Sequence, residues 1–159
     1  MEAILKKAVK EFMTKHVIAV DENESIKALF KLMDRHGILG VPVINQEHHA
    51  VGIVTERDLL SHFTTLKTPR SINLLGGIVY LDDIQDFNKH LREHCAETVK
   101  ELMATPVITL KESATLQNAI DTMAEHCVNR LPVVDGHKKL VGIVTRTDIV
   151  HQLSKIKNA

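Results

Sequence analysis

The chain has 159 residues, the length of one compact domain or two very small ones. Hydrophobic residues make up 44% and charged residues 25%, an ordinary globular composition rather than a disordered one. Twenty basic residues balance twenty acidic ones, and there is no tryptophan and only five other aromatics (four phenylalanines, one tyrosine), which excludes a general nucleic-acid binder built on basic excess and base stacking.

The first residues, Met1 to Lys7, lack the uninterrupted apolar core of a secretory signal. Ile4, Leu5, Ala8, Val9 and Phe12 predict a short amphipathic helix. Val17-Ile18-Ala19-Val20 is a β-branched strand candidate. Ile26, Leu29, Phe30 and Met33 follow at i, i+3, i+4 and i+7, a helical stripe with Ser25 as N-cap and Gly37 where the helix should stop. Val41-Pro42-Val43-Ile44 reads as a strand whose proline marks a start or an edge. Asn45 to His49 must then turn without glycine before the strand that ends at Thr55, where a second helix starts. Residues 64–98 are broken by Pro69 and Gly76-Gly77. Asp82-Asp83 then offers an N-cap to a helix carrying Ile84, Phe87 and Leu91 on one face. This stretch is too apolar for a flexible linker and predicts a structured insertion packed on its neighbours.

From Val99 the pattern begins again. Val9–Phe63 aligns without a gap on Val99–Leu153 at a constant offset of 90, with 17 identities in 55 positions. Val107-Ile108-Thr109-Leu110 repeats the first strand, and Leu116, Ala119, Ile120 and Met123 repeat the helical stripe behind Thr115 as N-cap. Leu131-Pro132-Val133-Val134, the Asp135-Gly136 turn signal and Leu140–Val144 complete the match. Each copy reads β-α-β-β-α, so the fold class is α+β with α/β layering. The predicted organisation is residues 1–63 as the first repeat with its N-terminal helix, 64–98 as the insertion, and 99–159 as the second repeat with its tail.

These residues resemble a known family. Val9-Lys10-Glu11-Phe12-Met13, Val41-Pro42-Val43 and Gly52-Ile53-Val54-Thr55-Glu56-Arg57-Asp58, with Val99-Lys100-Glu101-Leu102-Met103, Leu131-Pro132-Val133-Val134-Asp135 and Gly142-Ile143-Val144-Thr145-Arg146-Thr147-Asp148, resemble the cystathionine β-synthase (CBS) domain in tandem, or Bateman module. Asn73-Leu74-Leu75-Gly76-Gly77 also resembles the inter-repeat segment of some stand-alone members. The resemblance implies two repeats packed sheet to sheet with pseudo-two-fold symmetry. It also implies clefts that bind AMP, ADP, ATP or S-adenosylmethionine, pairing of modules into a disc, and a regulatory rather than catalytic role.

Thr55-x-x-Asp58 and Thr145-x-x-Asp148 have a meaning of their own as capping boxes, in which threonine accepts an N3 amide and the acid favours the positive helix end. The functional alternative turns the carboxylate toward ribose hydroxyls and the free amides toward phosphate. Arg130 matches a family position that often carries a basic phosphate ligand, where the first copy has Gly40. It offers charge-assisted contacts that glycine cannot make. Arg57 is the compensating cation of the first copy, and Thr147 takes that place in the second. Val17, Ile18, Val107 and Ile108 are candidates for the adenine. The candidate nucleotide site is therefore Val107, Ile108, Arg130, Thr145, Thr147 and Asp148, with Val17, Ile18, Thr55, Arg57 and Asp58, the second-copy set being the better phosphate binder.

No catalytic residues are expected: there is no Gly-x-x-x-x-Gly-Lys and no serine nucleophile elbow. Cys127 reads as a small core residue. His90 and His94 stand at i,i+4 beside Cys95 but lack an identifiable third ligand, so no metal site is assigned. No cofactor is required, the ligand being the adenine nucleotide itself. The remaining expectations are a homodimer, an unidentified protein partner, no membrane contact and a cytoplasmic location. A ligand-free structural or interaction module is the competing function.

Overall fold

The computed structural model describes residues 2–74 and 77–155. Leu75 and Gly76 of the inter-repeat motif, and the tail 156–159, lie outside the described residues.

The first repeat runs β1 (Val20–Asp21), α2 (Ile26–His36), β2 (Gly40–Ile44), β3 (Ala50–Thr55) and α3 (Glu56–Phe63), after a short α1 (Glu2–Leu5). The second repeats it as β6 (Leu110–Lys111), α6 (Leu116–Glu125), β7 (Arg130–Val134), β8 (Leu140–Thr145) and α7 (Arg146–Leu153). In each three-stranded sheet the first strand pairs parallel with the second, and the second antiparallel with the third. The β-α-β-β-α reading holds twice.

The helix signals hold as well. Ser25 Oγ accepts the Ala28 amide at 3.2 Å, and Gly37 ends α2 at φ 59°. Thr115 caps α6, its hydroxyl accepting the Asn118 amide at 3.2 Å. The apolar stripes become two cores. Val20, Leu29, Val41, Val43 and Val54 centre the first, and Leu116, Leu131, Val133 and Val144 the second.

Three expectations change. The opening strands shrink to Val20–Asp21 and Leu110–Lys111, because only these residues find ladder partners on β2 and β7. Val17, Ile18 and Ala19 precede the ladder. Cys127 is exposed rather than buried, and holds the left-handed conformation (φ 53°) where its counterpart is Gly37. In the second copy's hairpin turn the positive φ falls on Lys138 (64°), as on His48 (62°) in the first, and not on Gly136. Asn45 and Asp135 organise these turns: each side-chain oxygen accepts the amides two and four residues on.

The segments that open each copy pack on the other copy. Ile4, Leu5, Val9, Phe12 and Met13 belong to the second core, while Ala96, Val99, Leu102 and Met103 belong to the first. The Val9 amide donates to the Ala114 carbonyl at 2.7 Å, and its counterpart Val99 to Glu24 at 2.9 Å. Thr14 pairs with Ile143 beside β8, and Ala104 with Ile53 beside β3. Gly142 and Gly52 leave room for the Met13 and Met103 side chains at these crossings.

The insertion is a β-hairpin, β4 (Ser71–Leu74) and β5 (Gly77–Tyr80), followed by α4 (Ile84–His94). Asp83 caps α4 by accepting the Gln85 amide at 2.7 Å. The hairpin escaped the sequence reading. Its base is closed by Arg70 and Asp82, 2.7 Å apart. The helix meets the first repeat through α3, where His62 Nδ1 lies 2.6 Å from the Glu93 carbonyl. Phe87 is half-buried there, while Ile84 and Leu91 remain exposed. A short α5 (Val99–Leu102) then leads into the second repeat.

Candidate functional site

Exchange of the lead-in segments creates two clefts related by the 90-residue offset, each built from both copies. One, of about 420 Å³, takes Thr14, His16, Val17 and Ile18 and the α2–β2 turn from the first copy, and Thr145, Thr147 and Arg130 from the second. The other, of about 400 Å³, takes Thr55, Glu56, Arg57 and Asp58 from the first copy, and Ala104 and residues 126–130 from the second. The sequence reading grouped candidates by copy; the structure groups them across copies. Val17 and Ile18 thus face Thr145 and Thr147. Val107 and Ile108 are not among the described lining residues of either cleft, and Ile108 packs against the second core instead.

The two cassettes cap unequally: the Thr145 box is reciprocal, while at Thr55 only the aspartate accepts. The Thr55 amide and hydroxyl donate to Asp58 Oδ2 at 2.7 and 2.9 Å. The Thr145 amide and hydroxyl donate to Asp148 Oδ2, each at 2.7 Å, and the Asp148 amide returns a long bond to the Thr145 hydroxyl at 3.4 Å. The shorter aspartate therefore does reach back from N3. Asp58 lines its cleft, whereas Asp148 is not among the described lining residues of the other.

Arg130, 17% exposed at its side chain, lines both clefts. Its Nη1 donates to Glu56 Oε2 at 3.1 Å. Glu56 was not singled out from the sequence. It is the first residue of α3, and its amide donates to the Leu39 carbonyl at 3.1 Å. Its counterpart Arg146 makes the same backbone bond to Asn129 at 3.0 Å, but directs its guanidinium at Asn129 Oδ1. The Thr145 cleft carries Arg130 and His16, with no carboxylate among its described lining residues. The Thr55 cleft mixes Arg57 and Arg130 with Glu56 and Asp58. Glu56 is legible in hindsight, since it is the second residue of the same Thr-x-x-Asp cassette. His16, Leu39 and Asn129 carry no motif that marks them.

His90 and His94 gather no third ligand: among the described residues no cluster of three metal-ligating side chains occurs. No helix of the described residues is long and apolar enough to cross a membrane.

Comparison with known proteins agrees with this architecture. The CBS domain family model matches residues 9–64 and 99–155. The chain is 32% identical over 158 residues to the chloroplastic CBS domain-containing protein CBSX1 of Arabidopsis thaliana, covering 95% of this chain and 66% of that protein. Among solved structures, CBSX2 of Arabidopsis thaliana in complex with AMP superposes with a TM-score of 0.78 at 27% identity, over 96% of this chain and 99% of that one. The CBS domain pair of protein MJ0100, in complex with 5′-methylthioadenosine and S-adenosyl-L-methionine, gives 0.69 at 25% identity, over 95% and 98%. Other relatives are far longer. An inosine-5′-monophosphate dehydrogenase of Methanocaldococcus jannaschii matches over only 23% of its length.

Proposed function

The chain belongs to the CBS domain family, as two copies in tandem, and from that premise we propose that it is a regulatory module binding an adenosine-containing ligand between its repeats. The observation that carries this reading is the Thr145 cleft. It joins Val17 and Ile18 ahead of β1, the N-terminus of α7 and one guanidinium around a space of about 420 Å³. Backbone polar groups ahead of the β1 ladder, where no ladder bonds claim them, can read an adenine edge. Thr147 in the first turn of α7 and Arg130 both line the cleft and are suited to phosphate, since helix N-termini and guanidinium groups both favour anions. In this reading Asp148 serves the ribose with its second oxygen while Thr145 holds the first.

That relatives are crystallised with AMP, 5′-methylthioadenosine and S-adenosyl-L-methionine supports an adenosine ligand. The choice among AMP, ADP, ATP and S-adenosylmethionine turns on how Arg130 is used. Signalling requires that the ligand favour one arrangement of the module over another, because equal binding to both shifts nothing. We further propose a homodimer: Leu60 and Phe63 of α3 and Val150 of α7 are 70%, 67% and 65% exposed on helices at equivalent positions of the two repeats, the kind of apolar surface that marks an interface.

The competing reading is a ligand-free interaction module. One observation favours it: in both cassettes the threonine amide and hydroxyl already donate to the aspartate within the protein itself. Calorimetric titration with AMP, ADP, ATP and S-adenosylmethionine separates the two. Saturable binding that Asp148→Ala weakens supports the sensor. Silence at millimolar ligand from a folded protein overturns it, and leaves the boxes as caps.

A further inference from the structure

We propose that Arg130 is a single cation shared by two clefts, with Glu56 as its internal competitor, so that the clefts exclude each other for phosphorylated adenosine ligands but not for uncharged ones. The inference rests on the adenosine-binding reading above and concerns how its two clefts are coupled.

Three relationships carry it. Arg130 lines both clefts, so either ligand can reach it. The equivalent position is Gly40, and a Cβ there would lie 2.6 Å from Arg130 Cδ, so the space that a second side chain would need is already taken by the arginine. Finally, Glu56 holds the guanidinium through one 3.1 Å bond on the Thr55 side. The pseudo-two-fold symmetry is broken at both positions together: glycine against arginine at 40 and 130, glutamate against arginine at 56 and 146.

The consequence is electrostatic. A half-exposed carboxylate holds its partner only weakly, whereas a phosphate can take two guanidinium bonds at once. A phosphorylated ligand in the Thr145 cleft draws Arg130 off Glu56. The Thr55 cleft, where Glu56 and Asp58 had faced Arg57 and Arg130, then keeps both carboxylates with Arg57 as the remaining guanidinium, beside the His126 imidazole. It becomes hostile to a second anion. Linkage makes the effect reciprocal. A ligand without phosphate makes no demand on Arg130, and fills either cleft without penalty to the other.

The test is calorimetric titration of the full chain and of Glu56→Gln with AMP and with 5′-methylthioadenosine. Glutamine keeps the size of a half-exposed side chain while removing its charge. The wild type should bind one AMP per chain, or two whose affinities differ by roughly tenfold or more, within the usual range of site-to-site coupling. Its 5′-methylthioadenosine isotherm should show no such split. Glu56→Gln should tighten the first AMP and narrow the gap, and should change 5′-methylthioadenosine binding by much less than it changes AMP binding. Two equal, independent AMP sites in the wild type overturn the inference, as does an AMP isotherm indifferent to Glu56→Gln. Failure of both ligands to bind is a different result, which overturns the adenosine reading itself.

Discussion

Gly40 and Arg130 occupy equivalent positions of the two repeats and meet between them: a Cβ on Gly40 would lie 2.6 Å from Cδ and 2.8 Å from Nε of Arg130. The glycine permits this close approach, because any Cβ there would force the arginine side chain to move. Gly40→Ala should therefore displace Arg130 and break its bond to Glu56, at a cost of about 1–3 kcal/mol by overpacking. In an Arg130→Ala background most of that cost should vanish. A double-mutant cycle by urea denaturation would read the coupling, expected at about 0.5–3 kcal/mol for residues in contact. Additive effects would mean the two do not constrain each other.

The helix ends at Gly37 and Cys127 offer a matched pair of opposite experiments. Both adopt left-handed backbone, at φ 59° and 53°. A Cβ at Gly37 would meet nothing within 4 Å, so Gly37→Ala isolates the backbone strain and should destabilise by about 1 kcal/mol. Cys127→Gly should do the reverse. It relieves that strain but gives the unfolded chain more freedom, for a net gain of about 0.5 kcal/mol. Denaturant midpoints moving in opposite directions would support this account, and a loss from both would contradict it.

The hairpin base gives a pH prediction. Bonds from the Arg70 side chain and backbone hold the Asp82 carboxyl down to about 2, from an ordinary 3.8. Because the folded value is depressed, the contribution of this contact is complete above the unfolded value near 3.8. It is lost as pH falls through about 2. Carbon-detected NMR titration should find the Asp82 midpoint near 2, and Arg70→Gln should raise it toward 3.8. An unchanged midpoint in the variant would remove Arg70 as the cause.

Exchange of the lead-in segments predicts where damage travels. Val9 belongs to the first copy by sequence, but is fully buried in the second core with Leu116 and Leu131. Val9→Ala should cost about 2 kcal/mol through the cavity it leaves. Hydrogen exchange should then quicken in β6, β7, β8 and α6 before β2 and β3. Loss of protection confined to the first repeat would contradict the packing.

Much of the fold was legible because its signals are local. The stripes of α2 and α6, Ser25 and Thr115 as caps, Gly37 as a stop and the prolines of β2 and β7 each act within a few residues of themselves, as propensity and capping do. The hairpin at 71–80 was missed because its strands are short and Gly76-Gly77 read only as a break. Cys127 misled because a cysteine suggests burial, while the backbone at that helix end demands the left-handed turn first.

The residues of this chain, taken by themselves, determined two β-α-β-β-α repeats, their caps and the Thr-x-x-Asp cassettes, since hydrophobic period and capping are written in neighbouring side chains. Only the tertiary structure decided which repeat each lead-in segment covers, and therefore that Val17 and Ile18 share a cleft with Thr145 rather than with Thr55. It alone brought Glu56 to Arg130 and set Gly40 against it. Contacts between residues 74 and 90 positions apart arise from how two cores close on each other, and no local period records that choice.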